Sequence, residues 1–176
     1  MAPREGKSTT SDPVDVARRL YAVTSSGDLA QLDDILAPDV VDHGVDGVEE
    51  LRGPAAVREA LAAFRESFPD ATLRVEDVFA SADGEKVAVR WTVSATQRGA
   101  FQGIPASGRG VRMSGIDVLR VVDGRVAERW GSSDELGLLQ QLVDRRTGDD
   151  RRAGQPIPPG LERRATGRRR SDVNRG

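Results

Sequence analysis

Residues 111–142 read VRMSGIDVLRVVDGRVAERWGSSDELGLLQQL. From Val111 to Val122 the stretch is rich in β-branched and aliphatic residues, and a second such run, Arg125 to Trp130, resumes after only Asp123-Gly124. That pattern predicts a hairpin, because a tight turn needs positive φ, which glycine adopts freely and aspartate tolerates. Asp117 interrupts the first run between Ile116 and Val118. A carboxylate in a strand otherwise suited to burial requires a partner or a task.

Register decides what Asp117 meets. A two-residue loop pairs Val122 with Arg125 and sets Asp117 opposite Trp130; a three-residue loop with a glycine bulge sets Asp117 opposite Arg129. A slip of one residue turns every side chain to the other face. The second register brings an Asp and an Arg together, where the opposite charge favours the ionised carboxylate, and it is the register expected here.

Working outward, Ala71–Ala82 and Val87–Thr96 read as two further strands joined at Asp83-Gly84. In the second, Val87, Val89, Trp91 and Val93 alternate with Ala88, Arg90, Thr92 and Ser94, giving one apolar and one mixed face. Upstream the period is helical. Ser11 or Asp12 caps a helix with Pro13 in its first turn and Val16, Ala17, Leu20 and Tyr21 on one side. Asp28 opens a short second helix with Leu29, Leu32, Ile35 and Leu36 on one face, ending before Pro38. Asp39–His43 follows as a short extended piece, then a loop through Gly44 and Gly47. Gly53-Pro54 starts a third helix ending near Phe68-Pro69. A last helical turn or two from Asp134 carries Leu136, Leu138, Leu139 and Leu142. Three helices followed by a four-strand antiparallel meander predict an α+β fold, helices on one face of a curved sheet that encloses a pocket.

The chain of 176 residues is long enough for one domain with a real core. Aromatic residues are only 4 %, so that core is built mainly from Val, Leu, Ala and Ile. No cysteine is present, which removes disulfides, thiolate zinc sites and a cysteine nucleophile. One histidine, His43, excludes a histidine-rich metal site. Residues 1–11 read as a disordered leader and 144–176 as a basic disordered tail, the tail with ten Arg against five acids. Residues 12–143, the predicted domain, are therefore acidic, a poor surface for nucleic acid. No apolar run approaches the ~20 residues of a membrane helix and no secretory segment opens the chain, so a cytoplasmic protein without a membrane partner is expected.

FPDATLRVEDVFASADGEKVAVRWTV (68–93), FQGIPASGRGVRMSGIDVLRVVDGRVAERW (101–130) and DELGLLQQL (134–142) together resemble the SnoaL-like polyketide cyclase or ester cyclase family. The resemblance spans roughly residues 13–143. It implies the cone-shaped fold of the nuclear-transport-factor-two-like superfamily and acid–base chemistry without cofactor or metal: ring closure of a polyketide by intramolecular aldol condensation, a carboxylate moving a proton in an apolar pocket. In such cyclases the catalytic Asp lies seven residues after the hairpin glycine, and here that position is Gly131. Asp117 falls where they carry a pocket-facing histidine, Arg129 two residues before the lost Asp, and Asp42-His43 resembles a dipeptide at the pocket rim. Related epoxide hydrolases pair an Arg and an Asp two apart on the strand matching Val87–Thr96; here Arg90 stands with Thr92.

These readings give Asp117 and His43 as candidate proton carriers, His43 because its ordinary pKa lies near neutrality. Arg129, Arg90, Asp42 and Trp91 are candidate substrate contacts, the arginines by charge-assisted hydrogen bonds to an ester or enolate. Each has a structural alternative: an Asp–Arg pair that fixes register, a solvent-facing histidine, sheet arginines paired with acids, tryptophans in the core or on a dimer face. Asp134 reads as a helix cap. Two functions follow. One is a small cofactor-independent enzyme acting on an apolar, oxygenated metabolite. The other is a binding or dimerisation module that keeps the pocket without the chemistry. Ile116, Val118 and Val122, facing away from Asp117, predict a homodimer through the outer sheet face.

Overall fold

A computed structural model describes residues 12–44 and 50–143. The expected leader over 1–11, the loop through Gly47 and the basic tail over 144–176 lie outside the described residues. Helix α1 (Pro13–Ser26) starts where Asp12 Oδ1 accepts a hydrogen bond from the Val14 amide at 2.9 Å. A 3₁₀ turn (Leu29–Gln31) and a single turn, α2 (Leu32–Ile35), lead into strand β1 (Leu36–Asp42). Then come β2 (Leu51–Arg52), α3 (Gly53–Ser67), β3 (Thr72–Ala80), β4 (Lys86–Thr96), β5 (Gly110–Val122), β6 (Arg125–Ser133) and α4 (Glu135–Val143).

The six strands form one sheet in the order β2-β1-β6-β5-β4-β3. Strands β3 to β6 make the expected meander, and β1 adds to it by pairing parallel with β6. The second helix is thus shorter than its apolar spacing predicts. Leu36 already belongs to a strand: Pro38 pushes Ala37, the residue before it, to extended backbone, so the helix must stop ahead of Ala37, and the β-branched Val40-Val41 continue the strand. Pro38 sits within β1 where the register to β6 is broken, between Leu36 and Val41, a place where a missing amide does no harm. The Arg125 guanidinium fixes the junction, donating to the carbonyls of Asp33 (2.6 Å) and Leu36 (3.1 Å).

The two-residue loop is present and the three-residue loop expected here is not, while the partner of Asp117 differs from both readings. Asp123 and Gly124 have φ of 50° and 75°, the two positive values of a two-residue turn, and Val122 pairs with Arg125. The register then shifts by one residue between Arg120 and Val121, so Asp117 stands opposite Gly131, not Arg129 or Trp130. The bulge has a clear effect on facing. Val126 and Arg129 turn toward the helices, while Glu128 and Trp130 turn to the outer surface.

The core is aliphatic, as the composition requires. Ala17, Leu32, Val87, Val89 and Leu119 are fully buried between α1 and the sheet. Phe68, also fully buried, packs with Phe64 and Phe101 at centroid distances of 4.9 and 5.1 Å, closing one end. Among the described residues no helix is long and apolar enough to cross a membrane.

Candidate functional site

Between the helices and the inner face of the sheet lies a cavity of about 310 Å³. Most of its wall is apolar, including Leu20, Leu61, Phe64, Leu73, Val93 and Met113. One polar band crosses it, and Asp117 is its centre. Asp117 is only 2 % exposed. Its Oδ2 accepts from the Tyr21 hydroxyl and from Trp91 Nε1 (3.0 Å), and its Oδ1 from Arg129 Nη2 (3.1 Å). Arg129 Nη1 in turn reaches both oxygens of Asp42 at 2.8 Å, and Asp42 Oδ1 also accepts the Gly44 amide at 2.9 Å.

The sheet topology builds this band. Asp42 lies beside Arg129 in the parallel β1–β6 register, and Asp117 lies across from Gly131. Arg129 therefore reaches Asp117 diagonally, over the bare backbone of Gly131. A Cβ at position 131 would lie 2.7 Å from Arg129 Nη2 and 2.9 Å from Asp117 Oδ1. The space that a side chain would fill is already occupied by the ion pair. Gly131→Ala is expected to cost about 1–3 kcal/mol, since Arg129, anchored by Asp42, has little freedom to move aside; urea denaturation measures it. A loss under ~0.3 kcal/mol would show that the pair tolerates displacement.

Gly115 plays a related part for Trp91. Gly115 pairs with Trp91 across the strands, and a Cβ there would stand 2.4 Å from Trp91 Cζ2, so the missing side chain makes room for the indole whose Nε1 donates to Asp117.

The electrostatics follow from burial. Loss of hydration on burial, with the adjacent Asp117 carboxylate next, pushes the Tyr21 phenol far above its ordinary value. Burial alone disfavours the charge on Arg129, but Asp117 and Asp42 outweigh it and hold the guanidinium above its usual range. Tyr21 is the chain's single tyrosine, so phenolate absorbance reports this one group. The native protein is expected to show no phenolate signal as pH passes about 10, where an unfolded tyrosine ionises. The sign is fixed: a raised folded pKa means stability complete below that pH and lost as pH rises beyond it. Tyr21→Phe removes that part of the alkaline loss. A native titration near pH 10 would contradict the buried Tyr21–Asp117 bond.

Of the six residues singled out from sequence, the cavity gathers Asp117, Arg129, Asp42 and Trp91. His43 and Arg90 do not join them, a correction to the expected constellation. Arg90 points from the outer face and pairs with Asp77 through Nε at 2.6 Å, its direct neighbour on β3. His43 stacks on the outward Trp130, centroids 5.0 Å apart and rings 10° from parallel. Its Nδ1 lies 3.2 Å from Glu50 Oε2 and its Nε2 3.5 Å from Glu128 Oε2. Glu128 is held below the usual carboxylate range, first by the Arg120 hydrogen bond.

Sequence reasoning passed over Tyr21, which sits within an apolar helical stripe. Its hydroxyl was the available signal, because a buried tyrosine needs a partner. Among the described residues no group of three or more His, Cys, Asp or Glu is placed to hold a metal ion.

The model of SnoaL-like polyketide cyclases matches residues 14–142. The chain belongs to the SnoaL-like polyketide cyclase family. It is 28 % identical over 137 residues to the aklanonic acid methyl ester cyclase DauD of Streptomyces sp. (strain C5), covering 75 % of this chain and 82 % of that one. It is 27 % identical to the cyclase of the same description, DnrD, of Streptomyces peucetius, covering 75 % and 91 %. Among solved structures, IdmH from Streptomyces antibioticus superposes with a TM-score of 0.67 at 31 % identity, covering 75 % of this chain and 99 % of IdmH. For a SnoaL-like cyclase the α+β fold is the family's own, and helices on a mostly antiparallel sheet are its common feature. Within that fold, the resemblance-derived position of a carboxylate at Gly131 is empty of side chain, and the carboxylate directly across the strand pair, Asp117, fills the adjacent space.

Proposed function

We propose that this protein is a cofactor-independent acid–base enzyme that closes a ring in a small, mostly apolar, oxygenated metabolite by intramolecular aldol addition. One observation carries the reading: a carboxylate 2 % exposed at the wall of an apolar cavity, hydrogen-bonded directly to a buried tyrosine. Asp117 takes a proton from carbon, the resulting enolate attacks a carbonyl carbon of the same molecule, and a C–C bond forms as the C=O π bond breaks. Tyr21 donates its proton to the new alkoxide. Asp117 then returns a proton to Tyr21 along their existing hydrogen bond, so the site resets and the product is an isomer of the substrate. Three donors already engage Asp117, which suits a C–H acidified by flanking carbonyl groups. Arg129, held by Asp42, stabilises negative charge as it moves from carboxylate to enolate, and Trp91 orients the carboxylate.

Aklanonic acid methyl ester, named for the two relatives, is the first compound to test. The expected result is a product of unchanged mass and altered chromatographic retention, formed only with the protein. Tight binding without product would favour the second reading, a small-molecule-binding module. That reading draws support from the separation of His43 from Asp117 and from the bare position 131. The same proposal includes a cytoplasmic role in secondary metabolism and a homodimer through the outer face. Ile116 and Val122 there are 51 % and 42 % exposed, and a sedimentation coefficient of a monomer at micromolar concentration would remove the dimer.

A further inference from the structure

We infer that Ser133 and Glu135 form a second polar subsite of the cavity, one that takes a hydroxyl group of the ligand; this rests on the ligand-pocket reading above and extends it. Along the band from Asp42 through Arg129 to Asp117, the charged groups are bonded to one another. Beyond Gly131 this changes. Ser133 pairs with Gly115 on the same inner face, and Glu135 opens α4; both line the cavity and both are half-buried. Neither side chain has a hydrogen bond or ion pair among the described residues. Asp134 between them turns outward and caps α4, its Oδ1 accepting the Gly137 amide at 2.9 Å.

An unpartnered carboxylate beside a free hydroxyl, in a cavity whose other polar groups belong to the Tyr21–Asp117–Arg129–Asp42 band and whose remaining wall is mostly apolar, selects its ligand by what it leaves unmet. A ligand that covers these groups with an apolar end strips their water and returns no bond. A ligand carboxylate meets like charge. A hydroxyl donates to Glu135 and can accept from Ser133, satisfying both. Asp117 lies across from Gly131 and Ser133 is two residues further along β6, so the two are diagonal neighbours on adjacent strands, about 7–8 Å apart, and the ligand's hydroxyl lies roughly the width of a fused bicycle from the group that meets Asp117.

Calorimetric titration of the full chain with 2-naphthol and with 2-methoxynaphthalene tests this without requiring turnover. The two probes share the naphthalene frame and the oxygen position and differ by one O-methyl group, and only the first donates. The wild type is expected to bind 2-naphthol about tenfold more tightly. Glu135→Ala should reduce that preference to about twofold or less while the affinity for 2-methoxynaphthalene holds. Glu135→Gln, which keeps an acceptor and the helix start, should retain an intermediate preference. Equal binding of the probes to the wild type, or an undiminished preference in Glu135→Ala and Ser133→Ala, overturns the subsite alone. If neither probe binds the wild type, the subsite falls together with the ligand pocket it extends.

Discussion

Asp117→Asn is expected to lower kcat for ring closure by at least ~100-fold, the usual range for removing a positioned general base. The fold should survive. An asparagine keeps an acceptor for the Tyr21 hydroxyl and for Trp91 Nε1, and Arg129 keeps its two bonds to Asp42. The stability loss is then that of one charged hydrogen bond, about 1.5–3 kcal/mol, read by urea denaturation. Two half-reactions separate the roles of Asp117 and Tyr21. In deuterated water, an enzyme that abstracts and returns a carbon-bound proton exchanges it, whether or not the ring closes. Asp117→Asn should lose exchange and closure together, whereas Tyr21→Phe should keep exchange and lose closure, because Tyr21 acts only on the alkoxide. Wild-type exchange in Asp117→Asn would remove Asp117 from the role of base. Loss of exchange in both variants would mean that the two act as one inseparable unit.

The reach of the sequence can be judged at particular residues. Asp123-Gly124 announces the turn because a positive φ at both positions is a local requirement that few residue pairs meet. Asp117 is conspicuous because a carboxylate between Ile116 and Val118 conflicts with its neighbours. The bulge that sets Asp117 against Gly131 leaves no such mark: RVAERW contains no glycine, and the extra residue is accommodated because it turns Trp130 outward and Arg129 inward, a gain that exists only once the helices cover one face. Likewise the start of β1 at Leu36 is read as the end of a helix, since Leu29, Leu32, Ile35 and Leu36 keep helical spacing, and Asp39–His43 reads only as a short extended piece, because the real partner, β6, lies some ninety residues away in the chain. His43 has the chemistry of an acid–base group but not the position, for nothing in Asp42-His43 tells which of two consecutive side chains faces the cavity. The structure turns Asp42 inward to Arg129 and His43 outward to Trp130. What is legible is a residue in conflict with its local pattern; what is not is any choice made by pairing across the sheet.

Arg129→Met should be strongly destabilising. Asp42 is 6 % and Asp117 2 % exposed, and Arg129 is the one cation that the described residues set between them. Removing it leaves two buried carboxylates on either side of β6 without a counter-ion between them, and breaking a buried pair in this way costs about 3–5 kcal/mol. The Arg129 side chain is itself 27 % exposed, so water relieves part of that cost and the lower end applies. For a domain of this size the loss lowers Tm by about 10 °C. The pH dependence identifies the cause. In the variant, burial and mutual repulsion raise the folded pKa of the carboxylates above the unfolded value near 4. A raised folded pKa gives stability that is complete below the unfolded value and lost as pH rises through the folded one, so the variant should recover toward wild type as pH falls from about 7 to 4. Methionine fills most of the arginine's volume, and a loss from packing alone would not depend on pH; a deficit constant across that range would therefore refute the electrostatic account. Arg129→Lys should fall between the two, because one ammonium is a point charge and cannot bond both oxygens of Asp42 and Asp117 Oδ1 through separate nitrogens of a planar fork.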